Sequence, residues 1–151
     1  MQAFSQSIEV IQTFQRTVNA LDLADAMYHA PPAQPQSLAI QDVEVMVYPD
    51  AIAEVVRSGE LLVGEVFIRC TIGGTGDAAE NRRAEANGYL ATVAHMHALQ
   101  FHGHRGTPTP TVSRVLDVPR ETVVRGTANP ARRIRNIEDA CRMIAAIWPV
   151  A

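Results

Sequence analysis

Lysine is absent from this chain, so all 13 basic side chains are arginine. The flexible, strongly hydrated ammonium groups of an ordinary surface are therefore missing. Arginine's rigid fork suits fixed, bidentate contacts at interfaces better than loose solvation; genome composition is the competing explanation. Positive charge is also in deficit: 16 acidic residues against 13 basic ones leave a net charge of −3. That argues against a protein whose main task is neutralising nucleic-acid phosphates, and leaves room for a local basic patch. Cysteine is scarce. Cys70 at an inward strand position and Cys141 in an apolar run read as two buried free thiols, which fits a reducing compartment. No uninterrupted apolar run is long enough to span a bilayer, and Met1-Gln2-Ala3-Phe4 lacks the basic region and apolar core of a signal peptide. A soluble, intracellular protein is expected. With 151 residues, 47% hydrophobic and 19% charged, the chain is one globular domain, residues 1–151, without internal repeats.

The chain is organised around the stretch from Leu38 to Leu99, which reads as strand, strand, long helix. Val43, Val45 and Val47 alternate with Asp42, Glu44 and Met46, and Val66, Ile68, Cys70 and Ile72 alternate with Glu65, Phe67, Arg69 and Thr71. Period two marks strands with one buried face, here about Ala39 to Tyr48 and Leu61 to Ile72, paired antiparallel. Between them Asp50 to Gly59 fits either a helical turn or two, with Asp50 as N-cap and Ile52, Val55 and Val56 inward, or an excursion between strands. Gly73-Gly74-Thr75-Gly76 breaks the chain before the main helix, about Asp77 to Leu99. Asp77 and Glu80 are spaced as a capping box. Ala86, Leu90, Val93 and His97 form its apolar stripe, widened by Tyr89, Ala94 and Met96. Val45, Val66, Ile68 and Leu90 are expected to share one core.

On either side the signals are plainer. Phe4, Ile8, Ile11, Phe14, Val18 and Leu21 recur at helical spacing, which predicts an amphipathic helix from about Ser5 to Leu21. Pro31, Pro32 and Pro35 then make Asp22 to Ser37 a surface loop. Beyond the main helix, Val112, Arg114, Leu116 and Val118 predict a third strand, extended through Thr122, Val124 and Gly126. The C-terminal stretch is ambiguous: Ile137, Cys141, Ile144 and Trp148 fit a helix capped by Asn136, whereas Arg142 to Val150 also fits a buried strand.

No catalytic constellation emerges. His95, His97, His102 and His104 are the most chemical-looking group. On a helix His95 and His97 point about 200° apart and do not chelate one ion, so no metal or cofactor is expected. The Gly73–Asp77 turn is neither a dinucleotide fingerprint nor a P-loop, and reads as a tight strand-to-helix turn. The segment Thr111 to Leu116 lacks the packed preceding helix of a helix-turn-helix. Glu80 and Glu85 with Arg82 and Arg83 read as ordinary surface pairs.

The order helix, loop, strand, excursion, strand, long helix and two late strands resembles the tail-terminator and tail-completion proteins of long-tailed bacteriophages. The likeness is carried by Leu38 to Pro49, similar to that family's first core strand, by Gly64 to Ile72, similar to its partner strand, and by Asp139 to Trp148, similar to its closing strand. It implies an α+β fold, a mostly antiparallel sheet packed against two long helices, and no enzymatic activity. It implies a virion protein assembled in the host cytoplasm, a hexameric ring of copies of itself capping the tail tube. Its partners would be the tail tube protein and the head–tail connector or neck protein, with DNA passing through the lumen and no membrane. Asp50, Glu54, Arg57, Arg132, Arg133 and Arg135 are the interface candidates. The arginines either pair with a neighbour's Asp50 or Glu54 or face the lumen. The alternative is a small enzyme or enzyme-complex subunit using the Gly73–Asp77 turn or the histidines, since Glu54 to Asp77 is similar to a piece of the small carbon–phosphorus lyase subunit.

Overall fold

The structure, a computed structural model, describes residues 8, 9, 11–17, 23–34 and 36–148. Residues 11–17 form the helix α1. A 3-10 turn, Leu23–Asp25, and strand β1, Met27–His29, come next, then β2, Gln36–Ile40, and β3, Val43–Val47. β4, Ala51–Arg57, and β5, Glu60–Arg69, lead into α2, Asp77–Phe101. The chain ends with β6, Thr107–Pro108, a 3-10 turn at Pro110–Val112, β7, Arg114–Asp117, β8, Thr122–Arg125, and α3, Ala131–Ile147. The fold is α+β. Phe4, Val18 and Leu21, and the Met1 to Phe4 start, lie outside the described residues. Of the predicted first helix, Phe14 is half-buried and packs with Leu23, Leu116 and Val118.

Two tight turns revise the strand assignments. Gln41 (φ 48°) and Asp42 (φ 63°) join β2 to β3, and Ser58 (φ 51°) and Gly59 (φ 78°) join β4 to β5. Positive φ at both central residues is the geometry of a two-residue type I′ hairpin, in which the turn's twist matches that of the strands. The stretch 39–48, expected as one strand, therefore spans the end of β2, the turn and β3 of a hairpin. Leu38, Ile40 and Val47 are buried on one face, with Val43 and Val45 packed beside them. Likewise the 50–59 excursion is a strand. Asp50 does not cap a helix; its Oδ2 accepts from the Ile68 amide at 2.6 Å and fastens the start of β4 to β5. Ile52 and Ala53 are both fully buried, so β4 is covered on both faces and shows no alternation. The short β1 pairs with β4 and was hidden in the proline-containing loop.

The main sheet runs β1-β4-β5-β7-β8, with β6 also pairing with β5. Pairings are antiparallel except at β5, which runs parallel to β6 and β7 because α2 carries the chain across between β5 and β7. The sheet is thus mixed. One face of β5 (Val66, Ile68) packs with Ala53, Val55 and Leu116. Its other face (Glu65, Phe67, Arg69) meets α2, where Phe67 joins Val93, Met96, Ile137, Cys141 and the β2–β3 hairpin. The core expected to unite Val45 with Val66 and Ile68 is split in two by the sheet. Leu90 is only half-buried.

α2 is the least expected element in its packing. Ala91, Ala94 and Ala98 are fully buried, so small side chains let the helix lie close to the sheet. Ala86, placed in the predicted stripe, is exposed, and the deepest positions include Arg83, Asn87, His95 and His97. The predicted capping box is absent too. Gly76 (φ 97°) is the N-cap, and Glu80 pairs with Arg120 at 2.7 Å. Cys70 is exposed because β5 ends at Arg69, correcting its inward placement, while Cys141 is buried as expected. At the C-terminus α3 settles the ambiguity as helix, against the closing strand that the tail-terminator likeness implies. It begins after Pro130, five residues before Asn136, whose Nδ2 instead donates to Tyr89 Oη at 2.7 Å. Ile137 and Cys141, at helical spacing, seat it against α2 and β3. No helix among the described residues is long and apolar enough to cross a membrane.

Candidate functional site

Glu65 is the one ionisable residue in the run from Leu61 to Ile68. It sits in mid β5, and its side chain is fully buried under α2. Gly64 fixes its surroundings: a Cβ there would run into the backbone of Val112 and Ser113, so only glycine lets the chain between the second 3-10 turn and β7 approach this closely. Ser113 Oγ in turn accepts from the Glu65 amide at 3.1 Å.

Two imidazoles converge on this carboxylate. Glu65 Oε2 lies 2.5 Å from His97 Nδ1 and 2.8 Å from His102 Nε2. His97 comes from the last turns of α2, and His102 is its C-cap, its amide bonded to the Ala98 carbonyl. A spacing of five on an intact helix would rotate the two side chains well apart; ending the helix at Phe101 turns His102 back toward the strand. The other ring nitrogen of His97, Nε2, is 2.9 Å from the Gln36 carbonyl, which can only accept, so Nε2 carries a proton. Burial alone lowers the pKa of His97. The Glu65 hydrogen bond and charge, with the Gln36 carbonyl, outweigh it and hold the pKa above 6.5. His97 is thus a buried imidazole whose charged form the neighbouring carboxylate favours. Glu65 Oε1 is buried and makes no hydrogen bond among the described residues, which is rare for a carboxylate oxygen inside a protein. Beside the cluster a cavity of about 150 Å³ is lined by His97, His102, Gln36, Tyr48, Pro49 and the 31–34 segment.

Compared with known protein families, characterised proteins and solved structures, the chain matches none. The site is therefore read from its own geometry.

The four-histidine group of the sequence divides. His97 and His102 join Glu65, His104 is exposed, and His95 is buried with an unpartnered Nδ1 and a pKa lowered by that burial. The divergence of His95 from His97 holds; the partner that sequence reasoning missed was Glu65, and a lone charge in an apolar strand run was the available signal. Farther along α2, Asp117 Oδ2 accepts from Arg83 Nε at 2.5 Å and Asn87 Nδ2 at 2.9 Å, while its Oδ1 takes Arg83 Nη2 at 2.8 Å. Arg69 Nη1 donates to Asn87 Oδ1 at 2.9 Å. Arg83, assigned to the surface from sequence, is buried. It also binds the Thr71 and Ile72 carbonyls, and Arg120 binds those of Ile72 and Gly74. The 73–77 turn is thus a strand-to-helix connector clamped by two arginines.

The six interface candidates are scattered. Asp50 is committed to β5. Glu54 accepts from His29 at 3.1 Å and Arg105 at 3.2 Å. Arg57 lies 3.8 Å from Asp25. Arg133 rests against Gly88 and over the Tyr89 ring, 5.7 Å from its centroid. Arg132 and Arg135 are exposed and form no ion pair among the described residues.

Proposed function

We propose that this chain is a structural subunit that works by self-association into a closed ring, as its likeness to phage tail terminators implies. The observation that carries this reading is the exposed C-terminal end of α3. Its inward positions, Ile137 and Cys141, are already used in the core. Yet Ile144, Ile147 and Trp148, at helical spacing with Met143 beside them, are 48%, 70%, 79% and 65% exposed, respectively. Ile144 and Trp148 continue the stripe of Ile137 and Cys141 past the core, and an apolar helix end left uncovered, with a tryptophan at its cap, has the composition of a protein interface. A ring needs a second, different surface for the neighbour to meet. Met27, Tyr28 and Val56 supply one at the β1 edge of the sheet, where β1 has no outer partner among the described residues and Val56 is 65% exposed. In this reading Arg132 and Arg135, which form no ion pair among the described residues, meet a neighbouring copy or the DNA in the lumen. The tube protein and the neck protein bind the two rims.

The purified chain is expected to run as a closed multimer, with a hexamer the expected order, by native mass spectrometry and light scattering. Ile144→Asp combined with Ile147→Asp should give a monomer of unchanged circular dichroism. Reversing Arg132 and Arg135 to glutamate abolishes assembly if they face a neighbour and spares it if they line the lumen. A wild-type chain that stays monomeric alone and in assembled tails refutes the ring.

A further inference from the structure

The Glu65, His97 and His102 cluster contains features that packing alone does not explain. Three residues from a strand, a helix and a helix cap bring one potential ligand atom each to within 4.8 Å of one another, all of them buried. A cluster serving only to pin α2 to β5 would gain by satisfying both carboxylate oxygens, whereas Glu65 Oε1 has no partner among the described residues. The outer nitrogen of His97 is tied to a backbone carbonyl. That arrangement orients metal-ligating imidazoles and leaves the inner nitrogen as the donor. Finally, His97 and His102 form part of the wall of the adjoining cavity, so the cluster is not sealed on every side.

We propose that Glu65, His97 and His102 bind one divalent first-row transition ion, zinc in the first instance, with its remaining coordination position turned to the cavity. Two imidazoles and a carboxylate, with no thiolate, suit zinc and its neighbours better than copper(I) or an iron–sulfur cluster, which favour sulfur. Magnesium and calcium would ask for oxygen donors throughout. Three protein donors leave a tetrahedral ion one position short, as in open zinc sites. Bonds of about 2.0–2.2 Å place tetrahedral ligand atoms roughly 3.3 Å apart. His97 Nδ1 and His102 Nε2, now 2.5 and 2.8 Å from Oε2, therefore need to retreat by less than about 1 Å. The ion takes the place of the protons that bridge the three groups. The inference departs from the metal-free expectation drawn from His95 and His97, and it does not depend on ring formation.

The test is titration of the chelator-stripped full chain with zinc, and separately with cobalt(II), followed by calorimetry and visible absorption. One equivalent of either ion should bind, and cobalt should give the strong d–d bands of a low-coordinate nitrogen–oxygen site. His102→Gln and Glu65→Gln should each weaken zinc binding by tenfold or more, and His104→Gln should leave it unchanged. If the buried variants fail to fold, X-ray absorption at the zinc edge of the wild-type chain decides between two imidazoles with a carboxylate and any other set. Absence of stoichiometric binding, binding undiminished in folded His102→Gln, or loss of binding in His104→Gln would each overturn the assignment.

Discussion

Replacing Asp117 with asparagine asks how the central helix is held to its sheet. Asp117 is 1% exposed and accepts three hydrogen bonds, two from Arg83 at 2.5 and 2.8 Å and one from Asn87 at 2.9 Å. Asparagine keeps the volume but removes the charge, and its amide group turns a donor toward groups that are themselves donors. Arg83, 6% exposed, then keeps the Thr71 and Ile72 carbonyls and one neutral amide oxygen in place of a carboxylate. Removing one partner of a buried ion pair costs about 3–5 kcal/mol, because the other charge stays desolvated. The remaining neutral hydrogen bonds recover part of that, so we expect a loss of about 3 kcal/mol. Against a domain stability of about 5–15 kcal/mol this is a large fraction. Urea unfolding followed by circular dichroism should show a lowered midpoint at unchanged slope. The double change Arg83→Met with Asp117→Leu removes both charges and should be more stable than either single variant, with a coupling of about 2 kcal/mol or more. An Asp117→Asn midpoint corresponding to less than about 0.5 kcal/mol, or strictly additive double-mutant energies, would refute the view that this pair anchors α2.

The same pair sets an acid limit. Burial raises the pKa of Asp117, but the hydrogen bonds from Arg83 and Asn87 and the Arg83 charge outweigh it and hold the pKa below 3.8. A depressed native pKa contributes stability that is fully present above the unfolded value and is lost as pH falls through the native one. The gap in urea midpoint between wild type and Asp117→Asn should therefore be constant at neutral pH and close below pH 3.8; a gap that persists there would contradict the assignment. Glycine-to-alanine changes should have opposite outcomes at two positions. At Gly64 the new Cβ meets rigid backbone of Val112 and Ser113, and a loss of about 2 kcal/mol or more is expected by thermal unfolding. At Gly88 it meets only the flexible end of Arg133, 2.6 Å away. There the helix preference for alanine, up to about 1 kcal/mol, should leave stability equal or higher.

Local physical chemistry was legible in the residues themselves. The β5 alternation, the long helix after the glycine turn, the strand at Arg114–Asp117 and the helical spacing of Ile137 and Cys141 each follow from interactions between near neighbours. The hairpin turns were not, because Gln41 takes a positive φ that its side chain does not advertise. Nor was the stripe of α2. Apolar periodicity locates a buried face only when that face is apolar, and here its deepest positions include arginine, asparagine and histidine. The candidate site was still harder to see. Glu65 stands 32 residues from His97 and 37 from His102. Which of two strand faces met the helix, and where the helix stopped, decided whether they touched. By itself the sequence determined that β5 and β7 are strands and α2 a helix, because those depend on short-range sterics and spacing. Only the tertiary structure decided the parallel seating of β5 beside β7 and the convergence of a carboxylate with two imidazoles, because both depend on register between segments distant along the chain.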